Sequence, residues 1–353
     1  MSANQPNEIM SKRWKVVLIA LGIVAIIGIG IAGSGYYVIK YPQFHPQRTA
    51  YLYIDEDDNL DSITNQIRAI GNPNRMEGFN WLVQYKKYGE RIKTGRYAIK
   101  PGDNAYGLYS RLAGGQQAPV NLTVGSTRTL DRLARSVATQ LMIDSAAIAS
   151  RIFDTSYIEK LGYDEATIYT LFIPNTYQVY WNMSVDDFIE RMQKEHDRFW
   201  NEERRKKAEA IGLSPIEVIT LASIVDEETN SNAEKPIVAG LYINRLHRGM
   251  PLQADPTVKF ANKNFEARRV TNAMLAADSP YNTYKYSGLP PGPIRIASIQ
   301  AIDGVLNRTK HNYLYMCAKE DFSGSHNFAT TLAEHNANAR KYHKALNERG
   351  IYR

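Results

Sequence analysis

Three consecutive carboxylates, Asp226, Glu227 and Glu228, close the apolar run Leu221-Ala222-Ser223-Ile224-Val225. A carboxyl held against apolar surface has a disfavoured charged form. It stays protonated near neutrality and can act as a general acid. Just upstream, Ser214-Pro215-Ile216-Glu217 has the form of a helix start. Ser214 can cap, Pro215 suits the first helical position, and Glu217 can reach back to complete a capping box. On a helix begun there, Leu221, Ile224 and Val225 share a stripe, and Glu228 lies seven, four and three residues after them along it. Asp226 and Glu227 are rotated away and are expected to reach water. The competing account is a solvated helix C-terminus that is simply acidic.

Further polar segments follow in order. Gly240-Leu241-Tyr242-Ile243-Asn244-Arg245-Leu246-His247-Arg248-Gly249-Met250-Pro251-Leu252-Gln253-Ala254-Asp255-Pro256-Thr257-Val258 is the first of them. Ser279-Pro280-Tyr281-Asn282-Thr283-Tyr284, Gly288-Leu289-Pro290-Pro291-Gly292-Pro293-Ile294 and His326-Asn327-Phe328 come later. With the acidic run these make five segments, and their order resembles the endolytic murein (peptidoglycan) transglycosylase family, the YceG-like proteins. The resemblance covers the whole chain. It implies an N-terminal membrane anchor, a small LysM-like module that binds N-acetylglucosamine-containing glycans, and a C-terminal catalytic domain.

The chemistry so implied is cleavage of the β-1,4 bond between N-acetylmuramic acid and N-acetylglucosamine. A hydrolase usually needs a second carboxylate as base or nucleophile. A lytic transglycosylase does not, because the C6 hydroxyl of the muramic sugar is the nucleophile and the product is a 1,6-anhydro end. One glutamate gives the leaving oxygen its proton and then takes the hydroxyl's. The resemblance puts that residue at Glu228, in agreement with the helical-face argument. Two departures stand out. The family often has Glu-Lys where this chain has Asp226-Glu227, and an anion in place of a cation favours the protonated form of Glu228. In Phe172-Ile173-Pro174-Asn175-Thr176-Tyr177 the family usually has Asp where this chain has Asn175. Asn175 can hydrogen-bond a sugar but cannot be a base.

The expected substrate-binding set is Asn175, Thr176, Tyr177, Asn244, Arg245, Gln253, Asp255, Thr257, Tyr281, Asn282, Thr283, Tyr284, His326 and Asn327. Asp255 could polarise a substrate group, or fix a turn before Pro256. Arg245 could hold a stem-peptide carboxylate bidentately, or an internal ion pair. Tyr281 to Tyr284 offer aromatic faces and amides suited to sugar rings, or form a loop held by tyrosine packing. His326 follows Gly324-Ser325, an approach to a site or a structural position. No metal is expected, since no Cys/His cluster has ligand spacing, and no cofactor is expected.

The elements that carry these residues are legible more coarsely. The chain has 353 residues, 44% of them hydrophobic and 22% charged, which suits two folded domains and an anchor. A net charge of +7 is compatible with anionic lipid or an acidic wall polymer. Without a basic run or a nucleic-acid-binding motif, nucleic acid is excluded as a partner. Val16 to Ile39 carries no charge, and ~24 residues span a bilayer with some tilt. Trp14, Tyr36 and Tyr37 flank it as interfacial aromatics, and Gly28/Ala32 and Gly30/Ser34 make small-residue pairs that could seat a partner helix. Lys12, Arg13 and Lys15 precede it, and Asp55-Glu56-Asp57-Asp58 follow at a distance. That bias predicts a single-pass protein of the bacterial cytoplasmic membrane, with its N-terminus inside and its body outside. A cleaved signal peptide fits less well, because bulky Tyr36-Tyr37-Val38-Ile39 stands where a small-residue cleavage site would.

Thr49–Asp55 reads as a strand, Leu60 to Ile70 as a helix ending at Gly71, Met76–Tyr88 as a second helix and Gly95–Lys100 as a strand. A helix from Asn104 to Ala113 follows. Val120–Val124 reads as a strand, Thr129–Leu141 as a helix, and Asp144 as the cap of another helix. Helices dominate Ser184–Ala210, Tyr313–Ala318 is a strand with Cys317 buried in it, and a final helix covers Thr331–Leu346. The reading is α+β, divided as a cytoplasmic tail (1–14), an anchor (15–39), a LysM-like β-α-α-β domain (45–117) and a mixed catalytic domain (118–353). Partners expected are peptidoglycan strands, the membrane through one helix, and a peptidoglycan synthase complex. A non-catalytic glycan-binding scaffold and a lysozyme-type hydrolase are the alternative functions.

Overall fold

The computed structural model describes residues 6–350 apart from position 268, with side chains from Trp14 onward. The side chains of Lys12 and Arg13, and residues 1–5 of the expected tail, lie outside the described residues. The chain is a mixed α+β protein, with three two-stranded sheets among the described residues. Contacts divide it into two units, 1–120 with 179–182, and 121–178 with 183–353.

The first unit begins with the helix Pro6–Lys40. Its stretch Trp14–Lys40 is long and apolar enough to cross a membrane, and it is exposed until its last turn, where Val38 and Ile39 are half-buried. Strand Ala50–Ile54 then pairs antiparallel with Gly95–Ile99, Leu52 opposite Tyr97. Between them run the helices Leu60–Gly71 and Glu77–Tyr85. Asn59 caps the first by accepting from the amides of Asp61 and Ser62, and Asn72 ends it in a left-handed conformation (φ 42°). The second stops at Tyr85, short of the expected Tyr88, because Lys87 turns to φ 50°. Alternate strand residues Leu52 and Ile54 meet Ile63, Ile67, Phe79, Tyr88 and Tyr97 in a core from which solvent is excluded.

The second unit is mainly helical and is organised on the helix Pro215–Glu228. Both halves of its capping box form: the Ser214 hydroxyl accepts from the Glu217 amide at 3.3 Å, and the Ser214 amide donates to the Glu217 carboxylate at 2.7 Å. Val218, Ile219, Leu221, Ala222, Ile224 and Val225 are all buried. The helix is therefore wrapped on every side, more than the single stripe expected from its spacing. Helices Lys235–His247 and Ile299–Leu306 pack on it and on each other. Gly240 lies on the helix Lys235–His247. A β-carbon there would collide with the Thr309 carbonyl and the His311 ring, so the segment leading to strand Tyr315–Ala318 passes directly over that helix. The strand pairs antiparallel with His326–Ala329, and the helix Leu332–Glu348 packs against both. Cys317, expected to be buried, is only half-buried.

Candidate active site

The three acids that end the helix Pro215–Glu228 have three separate fates. Asp226 is buried and pairs with the buried Lys235 at 2.9 Å. It also accepts from the amide (2.6 Å) and hydroxyl (2.8 Å) of Ser298, at the start of helix Ile299–Leu306. Glu227 takes both Nε and Nη2 of Arg128 at 2.7 Å, and Nη1 of Arg295 at 2.9 Å. The expectation that Asp226 and Glu227 reach water is thus corrected: each is committed to cations brought from elsewhere in the fold. Charges that close to a core are held only when paired.

Glu228 has no ion-pair partner among the described residues. Its Oε1 accepts from the Tyr242 phenol at 2.9 Å. Burial, and then the charges of Asp255 and Glu227, push its carboxyl up to about 7, while the Tyr242 hydrogen bond and Lys259 act the other way. Burial raises the Tyr242 phenol well above its ordinary range, so it stays a donor at every physiological pH. Tyr242 lies on the helix Lys235–His247 three residues before Arg245, on the same face.

Glu228 opens on a cavity of about 430 Å³. Tyr242, Arg245, Gln253, Asp255, Tyr284, His326 and His335 give the wall its polar groups, and Leu241, Leu252 and the strand Tyr315–Ala318 its apolar ones. Asp255 opens the helix Asp255–Ala261, with Pro256 in its first turn, and accepts from the Tyr284 phenol at 2.6 Å. Arg245 is buried and makes no internal ion pair among the described residues. It donates Nε to the Leu314 carbonyl at 2.7 Å and Nη1 to the carbonyls of Pro251 and Leu252 and to Gln253 Oε1. That fixes the loop carrying Gln253, whose φ is 52°. His326 is held through Nδ1 by Glu234 at 3.1 Å.

The structure gathers Glu228, Arg245, Gln253, Asp255, Tyr284 and His326 around one cavity. The other expected site residues are not on its wall. Asn282 is fully buried and donates to the carbonyls of Leu275 and Ala277. Thr257 and Thr283 share a buried hydroxyl contact at 2.8 Å, and Thr283 also accepts from the Ala254 amide. Asn244 donates to the carbonyls of His311 and Tyr313. Tyr281 packs on Phe260 with ring centres 4.7 Å apart. Asn327 bonds Glu320. Asn175, Thr176 and Tyr177 lie on the strand Asn175–Val179, where Thr176 meets Thr123 and Tyr177 donates to the Ile173 carbonyl. Tyr242 and His335 are cavity residues that the sequence reading did not select. Tyr242 lies in the run Gly240–Leu246 with nothing in the sequence to separate it from a core tyrosine, and His335 lies on a helix with no marked motif. Among the described residues, no three His, Cys, Asp or Glu side chains are gathered as metal ligands would be.

Residues 52–341 match the YceG-like family, and the chain belongs to it. Among its relatives is the endolytic murein transglycosylase of Bacillus subtilis (strain 168), 27% identical over 327 residues that make up 85% of this chain and 87% of that protein. The endolytic murein transglycosylase of Streptococcus pneumoniae (strain D39) is 26% identical over 324 residues, 82% of this chain. This chain spans 57% of that longer relative. A crystal structure of a YceG-like protein from Listeria monocytogenes superposes with a TM-score of 0.55 at 26% identity, covering 82% of this chain and 99% of that one.

Proposed function

We propose that this protein is a membrane-anchored endolytic lytic transglycosylase that cuts nascent peptidoglycan between N-acetylmuramic acid and N-acetylglucosamine. The observation that carries the reading is Glu228, a single carboxyl pushed up to about 7 by burial and facing a cavity. In the first step its proton passes to the glycosidic oxygen as the C1–O4 bond breaks. In the second, the C6 hydroxyl of the same muramic sugar bonds to C1 and its proton returns to the Glu228 carboxylate. The enzyme ends as it began, and the product carries a 1,6-anhydro end. Tyr242 orients Glu228 and partly offsets its desolvation. Asp255, hydrogen-bonded by Tyr284, is the nearby negative charge that favours the protonated acid and would attract the positive charge developing on the sugar. Arg245, Gln253, Asp255, Tyr284 and His326 are the residues proposed to hold the sugar and its stem.

The helix Trp14–Lys40 is proposed as an uncleaved anchor with the N-terminus in the cytoplasm. Residues 45–117 are proposed as a LysM-like glycan-binding domain and 118–353 as the catalytic domain, working beside a synthase that supplies fresh strands. The test is mass spectrometry of glycans after incubation of peptidoglycan with the full chain in detergent. Anhydro ends support the proposal, reducing ends would make the protein a hydrolase with Asp255 as second carboxylate, and no cleavage would leave a binding scaffold.

A further inference from the structure

The first unit presents an exposed aromatic pair that neither the core nor the proposed chemistry uses. Trp81 (54% exposed) and Tyr85 (67% exposed) stack on the outside of the helix Glu77–Tyr85, ring centres 5.0 Å apart and 6° from parallel. A solvated helix face would carry charged residues at these positions. The same helix touches the end of the long N-terminal helix. A β-carbon on Gly78 would stand 2.5 Å from the Val38 carbonyl, so only glycine allows that approach. Trp81 and Tyr85 follow Gly78 by three and seven residues, which puts them within about 60° of it around the helix. They point to the side on which the span lies.

No free linker separates the span from this unit. Pro42 bridges to Asn104 and Phe44 to Pro73 directly after the helix ends. Phe44 is in the core, and Gln43 is buried with its side chain on the Val38 carbonyl. The pair is thereby held beside the exit of the span, about 4 and 10 Å along its helix from the contact, where the polar layer of a bilayer is about 6 Å deep. The surroundings suit that layer. Lys40 lies 3.8 Å over the ring of Tyr106, Tyr37 and Tyr41 are in ring contact, and Lys86 sits over Tyr85. Glu77 is the exposed acid of the same helix face.

We propose that the helix Glu77–Tyr85 is a second membrane contact, lying on the bilayer surface at the exit of the span with Trp81 and Tyr85 seated among the lipid headgroups. Indole and phenol rings favour that zone because one edge is apolar and the other can hydrogen-bond, and the nearby lysines add attraction to anionic lipid. The assignment rests on the span reading proposed above. Its consequence is that the small unit is fixed to the membrane at two points and cannot swing about the span.

The test uses the full chain in vesicles of phosphatidylcholine and phosphatidylglycerol whose acyl chains are brominated near the ester. Trp14→Phe and Trp181→Phe leave Trp81 and the buried Trp200 as the only emitters of the four tryptophans. Bromolipid should quench this protein, and adding Trp81→Phe should abolish the quenchable part. Equal quenching with and without Trp81, in protein that still floats with the vesicles, would overturn the surface contact and leave the span intact. Emission from Trp81 that ignores bromolipid but responds to a tetramer of N-acetylglucosamine would overturn it in favour of a sugar site. Failure to float would overturn the span and this contact together.

Discussion

The phenol of Tyr242 donates to Oε1 of Glu228 across 2.9 Å, and it is the main contact opposing the burial that lifts that carboxyl. A group that must release a proton and then recover one works best when neither state is strongly preferred near the working pH. Burial alone would hold Glu228 as an acid. The tyrosine lends the carboxylate form a donor it would otherwise lack.

Glu228→Gln keeps the shape and can still accept from Tyr242 but has no transferable proton. Release of anhydro-muropeptides should fall by ~10²–10⁴-fold, and further if one residue serves both steps. The measurement is product release by folded protein. Near wild-type activity in Glu228→Gln, with loss in Asp255→Asn, would move the acid to Asp255.

In the proposed mechanism the protonated form starts the reaction, so the rate should fall as pH rises through about 7, the value to which Glu228 is lifted. Tyr242→Phe removes a donor that favours the carboxylate, so the alkaline limb should move to higher pH. A pH–rate profile of both proteins checks this. An unmoved limb would show that the hydrogen bond does not bear on the titration.

The same carboxyl makes a stability prediction. Its folded value, about 7, lies above the ordinary 4.5, so the folded state holds the proton more tightly. The contribution is present in full below the unfolded value and is lost as pH rises through the folded one. Relative to wild type, Glu228→Gln should gain on the order of 3 kcal/mol between acid and alkaline conditions. Denaturant unfolding of both proteins on either side of that window measures the gap, and a gap that does not change with pH would refute the raised value.

Asp226→Asn leaves Lys235 buried without its carboxylate. Removing one partner of a buried pair costs ~3–5 kcal/mol, so this variant should unfold well below wild type before any effect on catalysis is seen. The sequence reading expected it to do little more than tune Glu228. Thermal unfolding decides between the two.

For the anchor, protease added to intact spheroplasts should digest the body beyond Lys40. Full protection of the body would place it in the cytoplasm and reverse the proposed orientation.

The acid helix was legible because its start is written in adjacent residues: Ser214, Pro215 and Glu217 act on one another's backbone, and all three behave as read. The two strands and two helices after the N-terminal apolar helix were legible for the same reason, their signals being local. What surrounds Glu228 was not. Tyr242 reaches it from the next helix, Asp255 from the helix after that, and His335 comes from near the C-terminus. Asn282, Thr257 and Asn244 have the composition of a sugar site, yet they satisfy carbonyls and hydroxyls inside the fold. Polarity in a loop does not reveal whether the loop faces solvent.

Asp226 joins the end of one core helix to Ser298 and Lys235 at the starts of two others. The residue two places before the proposed acid is therefore an assembly point of the domain, and Glu227 is tied to Arg128 and Arg295 besides. The acid cannot be retuned by editing its neighbours in sequence without loosening the domain. Adjustment has to come through its neighbours in space, Tyr242 on one side and the Asp255–Tyr284 pair on the other, which can vary while the three helices stay clamped.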